Sequence, residues 1–107
     1  MSQFDDREKS FEAKQARDSE LEFKAMARRN KLLGFWAAEL LGLSGDDADS
    51  YAKEVVMSDF DEPGDNDVLR KVLGDLQAKG VDTSEHLVRK QMDALLGTAM
   101  EQVRSES

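Results

Sequence analysis

Residues 32–43 read LLGFWAAELLGL and form the most apolar stretch of this 107-residue chain. The stretch is too short to span a bilayer and contains Glu39, so it predicts a buried helix of a globular domain. Gly42, Ser44 and Gly45 close it, as is typical of a helix end. We therefore expect a first helix that runs to Leu43 and lies at the centre of the core. Its predicted core residues are Met26, Leu33, Trp36, Ala37, Leu40 and Leu41.

Three further amphipathic helices are predicted downstream. The second begins near Asp46 or Asp47, and the third follows Asp65 and stops at Gly80. The fourth opens with DTSE at 82–85, in which Asp82 and Glu85 have the spacing of a capping box. Their predicted apolar faces are Tyr51, Ala52, Val55, Val56 and Phe60; Val68, Leu69, Val72, Leu73 and Leu76; and Val88, Met92, Leu95, Leu96, Ala99 and Val103. The sequence thus predicts an all-α four-helix bundle with the first helix central.

The composition argues against several classes of function and location. The net charge is −8, which argues against nucleic acid or an anionic membrane as a partner because phosphates would be repelled. There is no cysteine, hence no disulfide framework or thiolate metal site, which fits the cytosol. The N-terminal residues MSQFDDREK are polar and acidic, unlike a secretory signal.

The acidic stretch SDFDEPGDND at 58–67 raises the possibility of a calcium loop. With Asp59 as the first ligand, Asp61 and Gly64 match the EF-hand pattern. Pro63, however, falls on a ligand position, and Arg70 stands where the bidentate glutamate belongs.

The preferred interpretation of the same stretch is a turn between two helices. Pro63 and Gly64 make the turn, Asp65 and Asn66 cap the third helix, and Asp67 lies at its positive end. A specific metal site remains the less favoured alternative.

Other polar residues give weaker signals. His86, the only histidine, is expected on the surface of the fourth helix, with no catalytic partner of a familiar arrangement. The basic cluster at 28–31 could bind a phosphate, but pairing with the acids of 58–67 is favoured. Phe35 and Trp36 are expected in the core rather than stacked on a ligand. The sequence therefore predicts neither an enzyme nor a cofactor.

The first twenty residues contain too few apolar side chains to order themselves in a core. Phe4 and Phe11 are nonetheless seven residues apart and would share one face of a helix. Two interpretations remain open from the residues alone: a solvated, frayed helix start, or an arm that folds when it enters a groove on a partner.

The segments FDDREKSFEAKQARDSE at 4–20, ARRNKLLGFWAAELLG at 27–42 and SDFDEPGDNDVLRKV at 58–72 resemble the zeta subunit family of alphaproteobacterial F1-ATPases, an ATPase-inhibitor family. The resemblance implies a mobile, partly helical inhibitory arm at 1–18 and a four-helix globular domain at 19–107. It implies that the arm inserts as a helix at a catalytic α/β interface near the γ subunit and blocks ATP hydrolysis, while the globular domain holds the inhibitor on the enzyme. The protein would be cytoplasmic, peripheral on the inner membrane through the ATP synthase, and monomeric when free.

The partner-binding residues that follow from this resemblance, together with the predicted apolar face of the arm, all lie in the first eighteen positions. They are Phe4, Asp5, Asp6, Arg7, Glu8, Phe11, Glu12, Lys14, Gln15, Arg17 and Asp18. Two of them depart from the family pattern: Gln15 stands where an aromatic is frequent and Arg17 where a histidine is common. Loss of the aromatic removes about 1–2 kcal/mol of apolar burial on docking, so inhibition is expected to be weaker.

A second hypothesis is a small acidic helical module that binds a metal or a nucleotide as a regulator or sensor. That hypothesis gives Phe4 and Phe11 no role.

Overall fold

The apolar spacing of the chain is realised as four α-helices. The computed structural model describes the backbone of residues 2–58 and 65–106 and the side chains of residues 20–58 and 65–106. The helices are α1 (Ser2–Leu40), α2 (Gly45–Ser58), α3 (Asn66–Ala78) and α4 (Glu85–Glu106), and the described residues contain no strand. The all-α prediction is confirmed. None of the described helices combines the length and the apolar character needed to cross a membrane.

Helix α1 contacts each of the other three helices, as predicted for the central element. Helices α2 and α4 flank it, and α3 contacts both of them. The main core is formed by the buried side chains of Leu33, Ala37, Ala38, Tyr51, Val55, Val68, Leu69, Val72, Leu76, Val88 and Met92. A second cluster joins α1 to the C-terminal half of α4 through Ala25, Ala99 and Val103, with Leu21 packed against them.

Leu40 and Trp36 of α1 are less deeply buried than the sequence predicted. Leu40 is 43% exposed, so its assignment to the core is wrong. Trp36 packs against the main core but is only half-buried. Both residues line a surface depression near the end of α1, together with Leu87 of α4. Phe60 lies outside the described residues.

Glycine ends two of the helices, as predicted. Gly42 and Gly80 have φ of 79° and 85°, a left-handed conformation that favours glycine. The amides of Leu43 and Val81 donate to the carbonyls of Ala38 and Leu76, each at 2.9 Å, which is the longer bond of a Schellman motif. The motif places the end of α1 at Leu40, three residues before the predicted end.

The predicted N-terminal caps are wrong in detail. Asp65 precedes α3, but its side chain makes no capping hydrogen bond. At α4 the cap is Ser84, whose Oγ accepts a hydrogen bond from the amide of Leu87 at 3.3 Å. Asp82 lies two residues further upstream, so the DTSE stretch does not form the predicted capping box. The sequence offered several capping residues in a row and did not show which one precedes the first turn.

Helices α1 and α2 approach closely at Gly34. A Cβ atom placed on Gly34 would lie 2.6 Å from the Cα of Ala52 and 3.1 Å from its Cβ. Gly34 and Ala52 are both buried. The absence of a side chain at 34 therefore sets the distance between the two helices.

Gly34→Ala should destabilise the bundle by about 1–3 kcal/mol, because the added methyl group collides with backbone that cannot rotate away. Gly97→Ala is the matched control: Gly97 lies within α4, and a Cβ there would meet nothing within 4 Å. The control should stabilise by about 0.5–1 kcal/mol through helix propensity. Urea unfolding of both variants measures the difference, and equal stabilities would contradict the close approach.

Candidate interaction site

The predicted arm lies on the same helix as the centre of the core. The backbone of α1 is helical from Ser2 to Leu40 without interruption, a length of 39 residues. All of the predicted partner-binding side chains, from Phe4 to Asp18, lie outside the residues whose side chains are described. Their roles, and the boundary between residues 18 and 19, stay predictions.

The first described contact between α1 and the rest of the protein is made by Leu21 and Ala25. Leu21 is partly buried and Ala25 is fully buried against Ala99 and Val103 of α4. Glu20, by contrast, is exposed and pairs only along its own helix with Lys24, at 3.4 Å. Packing of α1 against the bundle is thus established by the turn that contains Leu21 and Ala25.

Arg28 ties this part of α1 to the end of α4. Its guanidinium donates to Gln102 Oε1 at 2.9 Å and to Glu106 Oε2 at 2.8 Å. The hydrogen bond from Arg28 lowers the pKa of the Glu106 carboxyl below its ordinary value. This contact was not predicted from the sequence, in which the basic cluster was expected to pair with the acids of 58–67.

Among the described residues, Arg29 is the one charged side chain that is buried. Only 2% of its surface is exposed, and its guanidinium donates to Asn30 Oδ1 at 3.1 and 2.9 Å and to Asp65 Oδ1 at 2.8 Å. The hydrogen bond from Arg29 lowers the pKa of the Asp65 carboxyl. Pairing of the basic cluster with the acidic stretch is confirmed for this residue.

The pair explains why Asp65 does not cap α3. A carboxylate that faces a buried guanidinium gains a charge-assisted hydrogen bond, which is stronger than one to a helix amide. Asn66 takes part in a different link: its Oδ1 accepts from Arg89 of α4 at 3.1 Å. Asp65 and Asn66 therefore attach the start of α3 to α1 and α4.

The described residues include no group of three His, Asp or Glu side chains arranged to hold a metal. Residues 59–64, the first half of the calcium loop considered above, lie outside the described residues. Asp67, the last acid of the 58–67 stretch, pairs with Arg70 at 3.1 Å. His86 is exposed in the first turn of α4, where the sequence placed it.

An apolar groove runs along α1 beside α2 and reaches α4 at its Phe23 end. One part, of about 620 Å³, is lined by Lys31 and Phe35 of α1 and by Val56 and Met57 of α2. A second part, of about 360 Å³, shares Lys31 and Val56 and extends to Phe23 of α1 and to the end of α4. Phe35 is half-buried in this groove rather than enclosed in the core, where the sequence placed it.

The chain is similar to a known protein family and to a solved structure. The family model described as ATPase inhibitor subunit zeta matches residues 1–102. A protein structure solved by solution NMR is 52% identical to the chain, with a TM-score of 0.71, over 81% of this chain and 99% of that one. No curated protein matches the chain significantly.

The substitution Asp65→Ser should distinguish the contribution of the Arg29–Asp65 ion pair from that of a helix cap. Serine is a good N-cap, so a capping role would be retained, but Arg29 would be left buried without its carboxylate. The expected cost is about 2–4 kcal/mol in the free energy of unfolding. Ser84→Ala is the control for a lost cap and should cost about 1 kcal/mol. A double variant, Arg29→Met with Asp65→Ser, should be more stable than Asp65→Ser alone, and a strictly additive result would exclude the pair.

The same pair predicts a dependence of stability on pH. Because the pKa of Asp65 is lowered in the folded protein, its contribution is complete above the unfolded-state pKa of about 4 and is lost as the pH falls through the lowered folded-state pKa. The stability difference between the wild type and Asp65→Ser should therefore shrink as the pH is lowered from neutral through the folded-state pKa of Asp65. Urea unfolding across this range measures it, and a constant difference would show that the charge of Asp65 is irrelevant.

Proposed function

The chain belongs to the ATPase inhibitor subunit zeta family, and we propose that it blocks ATP hydrolysis by an F1-ATPase by inserting its N-terminal segment as a helix at a catalytic α/β interface. The observation that carries the proposal is the extent of the family match, residues 1–102, which includes both the proposed arm and the bundle. An inhibitor of this kind is a regulator rather than an enzyme.

The packing of α1 supports two roles for one helix: its later part forms the core of the bundle, and its first part would insert into the enzyme. From Leu21 onward its side chains pack into the bundle, whereas the predicted arm precedes that point. An inserted arm would be a direct extension of the central core helix. At a rise of about 1.5 Å per residue, the eighteen residues of the arm would reach about 27 Å beyond the bundle. That reach is sufficient for a helix to enter a cleft between subunits while the globular domain stays outside.

The arm's residues suit such a cleft. Phe4 and Phe11 supply an apolar face, and the surrounding acidic and basic residues, among them Asp5, Arg7 and Lys14, supply polar contacts on the remaining surface. A rotary enzyme must open and close each catalytic interface in turn. A helix that binds one of these conformations much better than the others shifts the population to that state and stops turnover.

The association with the ATP synthase would place the protein at the membrane without inserting it. Its partners are then the α, β and γ subunits around one catalytic interface. For the alternative, a metal- or nucleotide-binding sensor, the described residues provide no specific supporting observation, and we do not propose it.

Inhibition of ATP hydrolysis by purified F1 tests the proposal. The full chain should inhibit, and a variant that lacks residues 1–17 should not, although its unfolding temperature should stay within a few degrees because the described core clusters begin at Leu21. Phe11→Ala should raise the half-inhibitory concentration about tenfold or more, whereas the neighbouring Ser10→Ala should leave it unchanged. Gln15→Phe should lower it about tenfold if the family's aromatic is a contact. Equal inhibition by the truncated and full chains would refute the role of the arm.

A further inference from the structure

The bundle leaves one side of its central helix open. Helices α2 and α4 flank α1, and in the described part of the chain no Cα atom of α2 lies within 8 Å of one of α4, whereas α3 contacts both of them. Between α2 and α4 the surface of α1 forms the floor of the apolar groove. We define the α1 groove by Phe23, Ala27, Lys31 and Phe35 of α1, which are spaced four residues apart, and by Val56 and Met57 of α2.

The α1 groove is apolar and accessible. Phe23 is 70% exposed and Met57 is 67% exposed, and they are two of the four large hydrophobic residues that stand out on the surface of the described residues. The two depressions share Lys31 and Val56 and are therefore continuous. Exposed apolar side chains that are grouped in one groove, rather than scattered, mark a surface that binds a partner.

The charged side chains that line the groove are mostly cations, although the protein is acidic overall: Lys24, Arg28, Lys31 and Lys53 line it together with Asp49 and Glu106. Lys31 and Lys53 are exposed at the groove, and within the described part of the chain neither lies within 4 Å of a carboxylate. Glu106, at the α4 side, is already paired with Arg28 at 2.8 Å. A chain with a net charge of −8 thus presents cations beside its apolar groove, which favours a partner with carboxylates at matching positions.

The dimensions of the groove fit a helix. Phe23 and Phe35 are twelve residues apart on α1, or about 18 Å along its axis. A partner helix of about three turns would cover this length and would take the vacant place beside α1, between α2 and α4. Its apolar residues would contact Phe23, Phe35 and Met57, and its acidic residues would face Lys31 and Lys53.

We propose that the α1 groove is the surface by which the globular domain anchors to F1, and that it receives an amphipathic helix of the enzyme with carboxylates beside its apolar stripe. This inference rests on the proposed function and adds the place and chemistry of the anchor. A second copy of this chain is a poorer occupant, because a two-fold dimer would bring each groove against its own equivalent and would face lysines with lysines.

Two full-length groove variants test the proposal through inhibition of purified F1. Phe23→Gln with Met57→Gln removes the exposed apolar contacts, and Lys31→Glu with Lys53→Glu reverses the exposed charges, so neither should disturb the core. Each pair should raise the half-inhibitory concentration at least about tenfold and leave the inhibition reached at saturation unchanged, since the arm is intact. The matched control is Leu87→Gln, which removes a 51% exposed leucine from α4 outside the groove and should have no effect.

The outcomes separate the anchor from the arm. If the groove variants have the same half-inhibitory concentration as Leu87→Gln, the groove does not bind F1, whereas the proposed role of the arm is unaffected. A wild-type chain that neither binds nor inhibits F1 would overturn both. Sedimentation provides a third outcome: a wild-type dimer that Phe23→Gln with Met57→Gln converts to monomer would assign the groove to a second copy and overturn the anchor.

Discussion

The close packing of α2 against α1 at Gly34 is the contact on which the rest of the structure depends. A Cβ atom at this position would lie 2.6 Å from Ala52 Cα, so the two helices approach as closely as their backbones allow. That approach brings Val55 of α2 onto Leu33 and Ala37 of α1 in one buried cluster. It also positions Tyr51, whose hydroxyl donates to Asp75 Oδ2 at 2.8 Å and so links α2 to α3. A wider separation of α1 and α2 would weaken all of these contacts together.

A central helix with three neighbours has two regions that the bundle does not enclose: its N-terminal extension and one lateral face. The first is the proposed inhibitory arm, and the second is the α1 groove. Arg28 and Arg29 lie on the stretch of α1 that carries the groove and attach α1 to α4 and to the start of α3, at 2.8 Å in each case. These two ion pairs fix the position of α1, the helix that would contact the enzyme through both the arm and the groove. A rigid connection of this kind would limit the conformational freedom lost when arm and groove bind together.

Much of this fold could be predicted from the sequence because the apolar periodicity is strong and the glycines are well placed. The four helices, the central position of α1 and the ends at Gly42 and Gly80 followed from local patterns. The caps did not, because Asp65 is used by Arg29, 36 positions away in the chain, and a local pattern cannot show that competition. The exposure of Leu40 and the incomplete burial of Phe35 were missed for a similar reason: apolar spacing shows which residues share a face of a helix and not whether a neighbouring helix covers that face. Spacing alone indicated only that Phe4 and Phe11 would share one helix face, and the other proposed arm residues came from the family resemblance.

The central claim is that one continuous helix serves as the core of the bundle and as the inhibitory element. Photo-crosslinking tests it most directly, with a photoreactive phenylalanine analogue at position 11 of the full chain and, as a reference, at position 87 on α4. In the inhibited complex with F1, position 11 should crosslink to both the α and the β subunits, and position 87 should crosslink to neither. Crosslinks from position 11 that stay within the chain itself, while inhibition persists, would contradict the account.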